Sequence, residues 1–188
     1  MSTSLIIVLV VIAVLYFWYA SIIAKRNDAL SALSGIDVQL KKRANLIPNV
    51  LTIAKKFMEH EKSLLTEITE LREQLVGQYD KKDADAIEQH FEVAESLSSK
   101  MGALSIKMEN YPDLKSDQTM VQAMQTYNEV EAQISAARRF YNTSVSSLNT
   151  SIQIFPGSAI ASFAGVKEMP FYEAPESAKA PVDAANYL

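Results

Sequence analysis

Hydrophobic and polar positions follow two regimes along this chain. From Leu5 to Ile23, LIIVLVVIAVLYFWYASII, no charged residue occurs; beyond Ala24 apolar residues recur at steps of three and four. The first regime predicts a helix apolar on every face, which few buried helices of soluble proteins are over such a length. At about 1.5 Å per residue it is roughly 28 Å long, close to the thickness of a bilayer's hydrocarbon layer. Tyr16, Phe17, Trp18 and Tyr19 cluster at its far end, where rings settle at headgroup level. A cleaved leader is the alternative, but Met1–Ser4 carries no Lys or Arg and no small-x-small cleavage site follows closely. Both features favour a retained anchor. Lys25 and Arg26 follow the segment and no basic residue precedes it. The bias of basic residues toward the cytoplasm then puts the N-terminus outside and the body in the cytoplasm. The expected anchor residues are Leu5, Trp18, Tyr19, Ile23, Lys25 and Arg26.

The second regime reads as helix throughout. A stripe runs from Ala29 through Leu33, Ile36, Leu40, Ala44, Ile47, Leu51, Ala54 and Met58 to Leu65, Ile68, Leu71 and Leu75. Pro48 interrupts it, and because the stripe keeps its phase the proline predicts a kink rather than an end. Gly77 and the polar run to Asp83 predict a turn. A second stripe spans Ile87 to Met108 and stops at Tyr111-Pro112-Asp113. Ser116 or Asp117 should cap a third helix, whose stripe runs from Met120 through Tyr127, Glu131, Ile134, Arg138 and Tyr141 to Ile152. Phe155-Pro156-Gly157 ends it. Ser158 to Gly165 could form a short helix, and Pro170, Pro175 and Pro181 predict an extended tail. The expected fold is all-α: a transmembrane helix continuing into an elongated antiparallel three-helix bundle, with a short C-terminal helix and an extended tail. The divisions are an anchor over 1–24, a helical stem over 25–47, the bundle core over 48–156 and the tail region over 157–188.

Helix lengths extend this picture. A first helix of about 50 residues beyond the membrane reaches 75–80 Å, and a second of about 25 returns only roughly 40 Å. The Tyr111 loop would then lie beside Pro48, and the stem would stay uncovered. Its apolar positions Leu30, Leu33, Ile36, Leu40 and Ile47 would need a partner. Self-association through this stem is one expectation; the other is that the C-terminal tail folds back over it. The same lengths would gather Asp37, Lys41, Pro48, Asn49, Tyr111, Pro112 and Asp113 around a ligand cleft or a structural joint. Ala20 and Ala24 form a small-xxx-small pair suited to close helix approach.

Charge and composition narrow the chemistry. A net charge of −4 argues against a nucleic-acid binder, and the absence of cysteine excludes disulfides and thiolate catalysis. His60-Glu61 is half of a metalloprotease motif, but position 64 is Leu, and His90 belongs to another helix. Glycine-rich phosphate loops and nucleophile triads are missing, so neither an enzyme nor a cofactor is expected. Glu131 and Arg138 fall on the apolar stripe of the third helix, where a charge costs free energy unless paired. They are expected either to form a polar network with Asp37, Asn49 or Asn142, or to reach the bundle edge.

Several of these segments resemble the bacterial LemA family: Asp37-Val-Gln-Leu-Lys-Lys-Arg43, Leu46-Ile-Pro-Asn49, His60-Glu61-Lys62, Tyr111-Pro-Asp-Leu-Lys115, Ala137-Arg-Arg-Phe-Tyr-Asn142, Asn149, Phe155-Pro156 and Pro170-Phe-Tyr-Glu173. The motifs are short but occur in order along the whole chain. Two positions depart from the family pattern: Leu148-Asn149 replaces Tyr-Asn, and Gly157-Ser158 replaces Ser-Asn. The resemblance implies a single-pass protein of the bacterial inner membrane with a cytoplasmic helical domain, related to a protein of magnetosome membranes. It supplies no reaction. The expected function is a membrane-anchored scaffold that self-associates at the cytoplasmic face, with the bilayer and a second copy as partners. The alternative is an adaptor or sensor in envelope stress, engaging a membrane protease or transporter through Met169 to Leu188.

Overall fold

A computed structural model of the chain describes residues 3–173. Among these the secondary structure is helical, with no strand. The helices are α1 (Thr3–Ala54), α2 (Lys62–Val76), α3 (Ala84–Met108), α4 (Pro112–Ser116), α5 (Gln118–Gln153) and α6 (Gly157–Ala164), with a short 3-10 turn at Glu59–Glu61. The tail positions Pro175 and Pro181 lie outside the described residues.

The start of α1 is long and apolar enough to cross a membrane. Its residues from Leu5 to Leu15 face outward, and Ile22 is the first fully buried side chain. From Ile22 the helix enters the protein core without a break, because no glycine or proline interrupts the junction.

α1 passes through Pro48, as the stripe's phase predicts, but ends at Ala54. A helix of the expected length, continuing to Gly77, does not form. The chain reverses through Lys55–Glu61, and α2 returns along α1: Arg72 reaches Ala44, and the Tyr79 hydroxyl reaches Asp37. The charged run Glu59-His60-Glu61-Lys62 offers nothing to bury and marks this reversal. The turn after Gly77 therefore lies beside the stem rather than at the far end. α3 starts there and climbs, pairing Lys100 with Glu67 and Lys107 with Glu61. After α4, α5 descends along α1, with its first turn capped by Asp117, whose carboxylate accepts the Met120 N–H at 2.9 Å. Four antiparallel helical segments thus take the place of the expected three.

That shift covers the stem. Leu33, Ile36, Leu40 and Ile47 are fully buried within one chain, and Leu30 is half-buried. The uncovered stripe was a consequence of placing the reversal at Gly77; with it at Lys55–Glu61, α2, α3 and α5 all reach down the stem. The described start of the tail also packs on the bundle, with Val166, Met169 and Tyr172 buried, while the rest of the expected fold-back lies outside the described residues.

Pro48 leaves a mark on the packing. It has no N–H to donate to the Ala44 carbonyl one turn below. The Arg72 guanidinium of α2 donates to that carbonyl instead, at 3.0 Å. The proline therefore tolerates helix continuation and also presents an acceptor that docks α2.

Candidate functional site

Polar groups enter the bundle at three levels, and the expected single network divides among them. At mid-height Arg43 is 1% exposed. Its guanidinium donates to Glu131 Oε1 on α5 and to the Ala94 carbonyl on α3, each at 2.8 Å. Burial opposes the charge, but the Glu131 carboxylate outweighs it and holds the guanidinium pKa above its ordinary value. Tyr127 packs beside this pair, and burial, then the Glu131 charge, push its phenol pKa up. One buried guanidinium thus links α1, α3 and α5 through a partly buried pair, an arrangement suited to fixing register. Arg43 was not among the expected network residues. It falls three residues after Leu40 and four before Ile47, so it lies on the stripe, where its neighbour Ala44 also satisfies the spacing.

Below it lies Asp37. It accepts from the Tyr79 hydroxyl at 2.9 Å and pairs with Lys81 Nζ at 2.6 Å; His90 Nε2 stands 3.5 Å away. The Tyr79 and His90 rings stack at 4.1 Å. Burial pushes the Asp37 carboxyl up, yet the groups contributed by His90, Lys81 and Tyr79 outweigh it and hold its pKa below the ordinary 3.8. Leu40, Lys41, Val76 and Gly77 complete a crevice of about 330 Å³ against these groups.

The third level is a strap. Asn149 pairs with both main-chain groups of Met169, at 2.9 and 3.0 Å, and Asn142 does the same with Tyr172, at 3.0 and 2.9 Å. The Tyr141 hydroxyl donates to the Pro170 carbonyl at 2.8 Å. The spacing explains the fit: seven helical residues rise about 10.5 Å, and three extended residues cover about 10 Å. The Tyr172 ring is held between Phe91, stacked at 4.1 Å, and the Arg138 guanidinium, 4.0 Å from its centre. Arg138 also pairs with Glu95.

Of the expected network, Glu131 and Arg138 are paired, but with Arg43 and Glu95 respectively. Asp37 belongs to the crevice and Asn142 to the strap. Asn49 is exposed, beside Thr119 and Gln122 of α5, and joins neither. The expected cleft does not assemble: Tyr111, Pro112 and Asp113 sit at the end of the bundle near Glu61, roughly 25 Å along α1 from Asp37. His60 lies in the reversal, away from His90, which faces Asp37. Among the described residues no group of three metal-ligating side chains converges.

A match to the LemA family runs over residues 32–184. The chain belongs to the LemA family. It is also 25% identical over 179 residues to protein LemA of Metamycoplasma hominis, a match covering 93% of this chain and 80% of that protein. The LemA match begins at Ala32, within the stem, and takes in Arg43, Glu131 and the strap residues.

Proposed function

We propose that this LemA-family chain is a membrane-anchored scaffold, with the N-terminus outside and the bundle on the cytoplasmic side of the bacterial inner membrane. The observation that carries this reading is the unbroken α1, whose apolar beginning continues directly into the packed core. Such a helix holds the bundle at a set height and angle instead of tethering it through a linker. Lys25 and Arg26, with no basic residue before the span, support the orientation. Self-association remains part of the proposal, carried by the span rather than the stem. Ala20 and Ala24 are exposed one turn apart, and small residues let a second copy's helix approach closely. The adaptor reading rests on Ala174 to Leu188, since Met169 and Tyr172 are tied to the bundle.

Fractionation of the full chain after gentle lysis tests the anchor; recovery with soluble material would refute it. A C-terminal alkaline phosphatase fusion tests the sidedness, with activity in intact cells as the contrary result. Light scattering of detergent-solubilised protein tests assembly: a strict monomer would remove self-association. A pull-down lost on deleting Ala174 to Leu188 would support the adaptor reading instead.

A further inference from the structure

Between Arg139 and Lys167 the chain carries no charged residue, although it includes the end of α5, a turn and α6. This neutral stretch comes down beside the apolar end of α1. Gly157 packs so closely on the Ser151 carbonyl that a Cβ there would stand 1.9 Å from it, and the same Cβ would meet the Trp18 ring at 3.6 Å. The other end of α6 lies near Arg26, where Gly165, Arg26 and Lys167 border one hollow. The eight residues of α6 cover about 12 Å, the rise of α1 from Trp18 to Arg26. α6 therefore stands alongside α1 through the layer that runs from the aromatic rings to the first basic residues.

One face of this element is packed and the other is not. Ala161 is buried against the bundle, while Phe155 is 81% and Phe163 is 93% exposed, the two most exposed large apolar side chains described. Water rejects phenylalanine rings, so two of them left exposed on one short element call for an apolar surrounding. What surrounds them is set by continuity: Phe155, at the Trp18 end of α6, extends the exposed apolar surface of α1, and the segment that carries both rings has no charged residue.

We propose that the segment from Ile154 to Phe163 is a second lipid-contacting element, standing in the interfacial layer of the bilayer beside α1. Phe155, at the Trp18 end, reaches toward the acyl chains, and Phe163, nearer Arg26, lies at headgroup depth. Amphipathic elements of this kind bury their apolar face about 5–10 Å into the boundary. The bundle then meets the membrane at two adjacent points, which restrains its tilt. The inference rests on α1 being a membrane span.

The chain has no cysteine, so single-cysteine variants can be labelled cleanly. Ile12→Cys, Phe155→Cys, Phe163→Cys and Ile106→Cys are made in the full chain, labelled with NBD and reconstituted in phosphatidylcholine–phosphatidylglycerol vesicles containing doxyl-labelled lipid. Ile12 reports the span, and Ile106, exposed on α3, reports water. Circular dichroism checks that each variant stays helical. The expected result is strong quenching at Ile12, quenching at Phe155 and Phe163 at least about twofold above Ile106, and deeper quenching at Phe155 than at Phe163. Quenching at Ile12 with Phe155 and Phe163 at the Ile106 level overturns the inference and leaves the anchor intact. Loss of quenching at Ile12 overturns the anchor reading and this inference with it. Unlabelled Phe163→Cys protein that added copper–phenanthroline joins into disulfide dimers, with the labelled protein resisting lipid quenching, would assign the face to a second copy, also against the proposal.

Discussion

The two ends of the bundle are closed by different chemistry. At the end far from the apolar span, the reversal at Lys55–Glu61 meets the α3–α4–α5 turns, and charged residues predominate: Lys107 pairs with Glu61 and Lys115 with Glu109. At the end beside the span, Asn149 and Asn142 hold main chain through neutral amides, and aromatic rings fill the space, with Arg138 the charged group packed on Tyr172. Water screens the first kind of contact and weakens it; the second kind loses little to salt and suits surroundings of low polarity. An end made for water and an end made for an apolar neighbour imply a polarity along the long axis. Arg43 is buried between them, and its partner Glu131 is only partly exposed.

The largest effect should come from that boundary. Arg43→Ala leaves Glu131 and the Ala94 carbonyl without their partner, and a loss of about 3–5 kcal/mol is expected in urea unfolding. Replacing Arg43 and Glu131 together by Met and Leu should cost much less. An equal loss would show that shape, not uncompensated charge, governs the site.

Next comes the proximal end. Asn149→Ala strands the N–H and carbonyl of buried Met169, at about 1–3 kcal/mol. The loss should be the same at low and high salt, and the strap should become accessible to protease. A salt-dependent loss would break the contrast between the ends.

Asp37→Asn should cost about 1 kcal/mol near neutrality. The Asp37 pKa is depressed in the folded state, so its contribution is complete above the unfolded value and disappears as pH falls through the folded one. The gap between wild type and variant should therefore close below about pH 4. A gap that persists there would mean that the carboxylate charge is not what matters.

Smallest of all, Lys115→Ala at the distal end should change stability by less than about 0.5 kcal/mol, because its partner Glu109 is exposed like itself. A larger effect, removed by salt, would raise the weight of ion pairs at that end.

Much of this arrangement was legible in residue order. The apolar run, the three and four spacing, Asp117 as a cap and the short helix after Pro156 all depend on near neighbours, and local chemistry decides them. Family membership was legible from short motifs in order. The reversal at Lys55–Glu61 was not read, because no glycine or proline marks it and the stripes of α1 and α2 continue in similar phase. The only local cue was the gap between Met58 and Leu64, occupied mostly by the charged run Glu59 to Lys62.

By itself, then, the sequence determined that the chain is helical, that its beginning is apolar enough for lipid and that Glu131 and Arg138 must either find partners or reach the bundle edge. Only the tertiary structure decided who those partners are, that the stem is covered from within, and that Asn142 and Asn149 grip Tyr172 and Met169. The physical reason is range: periodicity reports which face of a helix avoids water, whereas the identity of the covering surface depends on where the chain turns back. A single reversal, moved by about six helical turns, changes every contact beyond it.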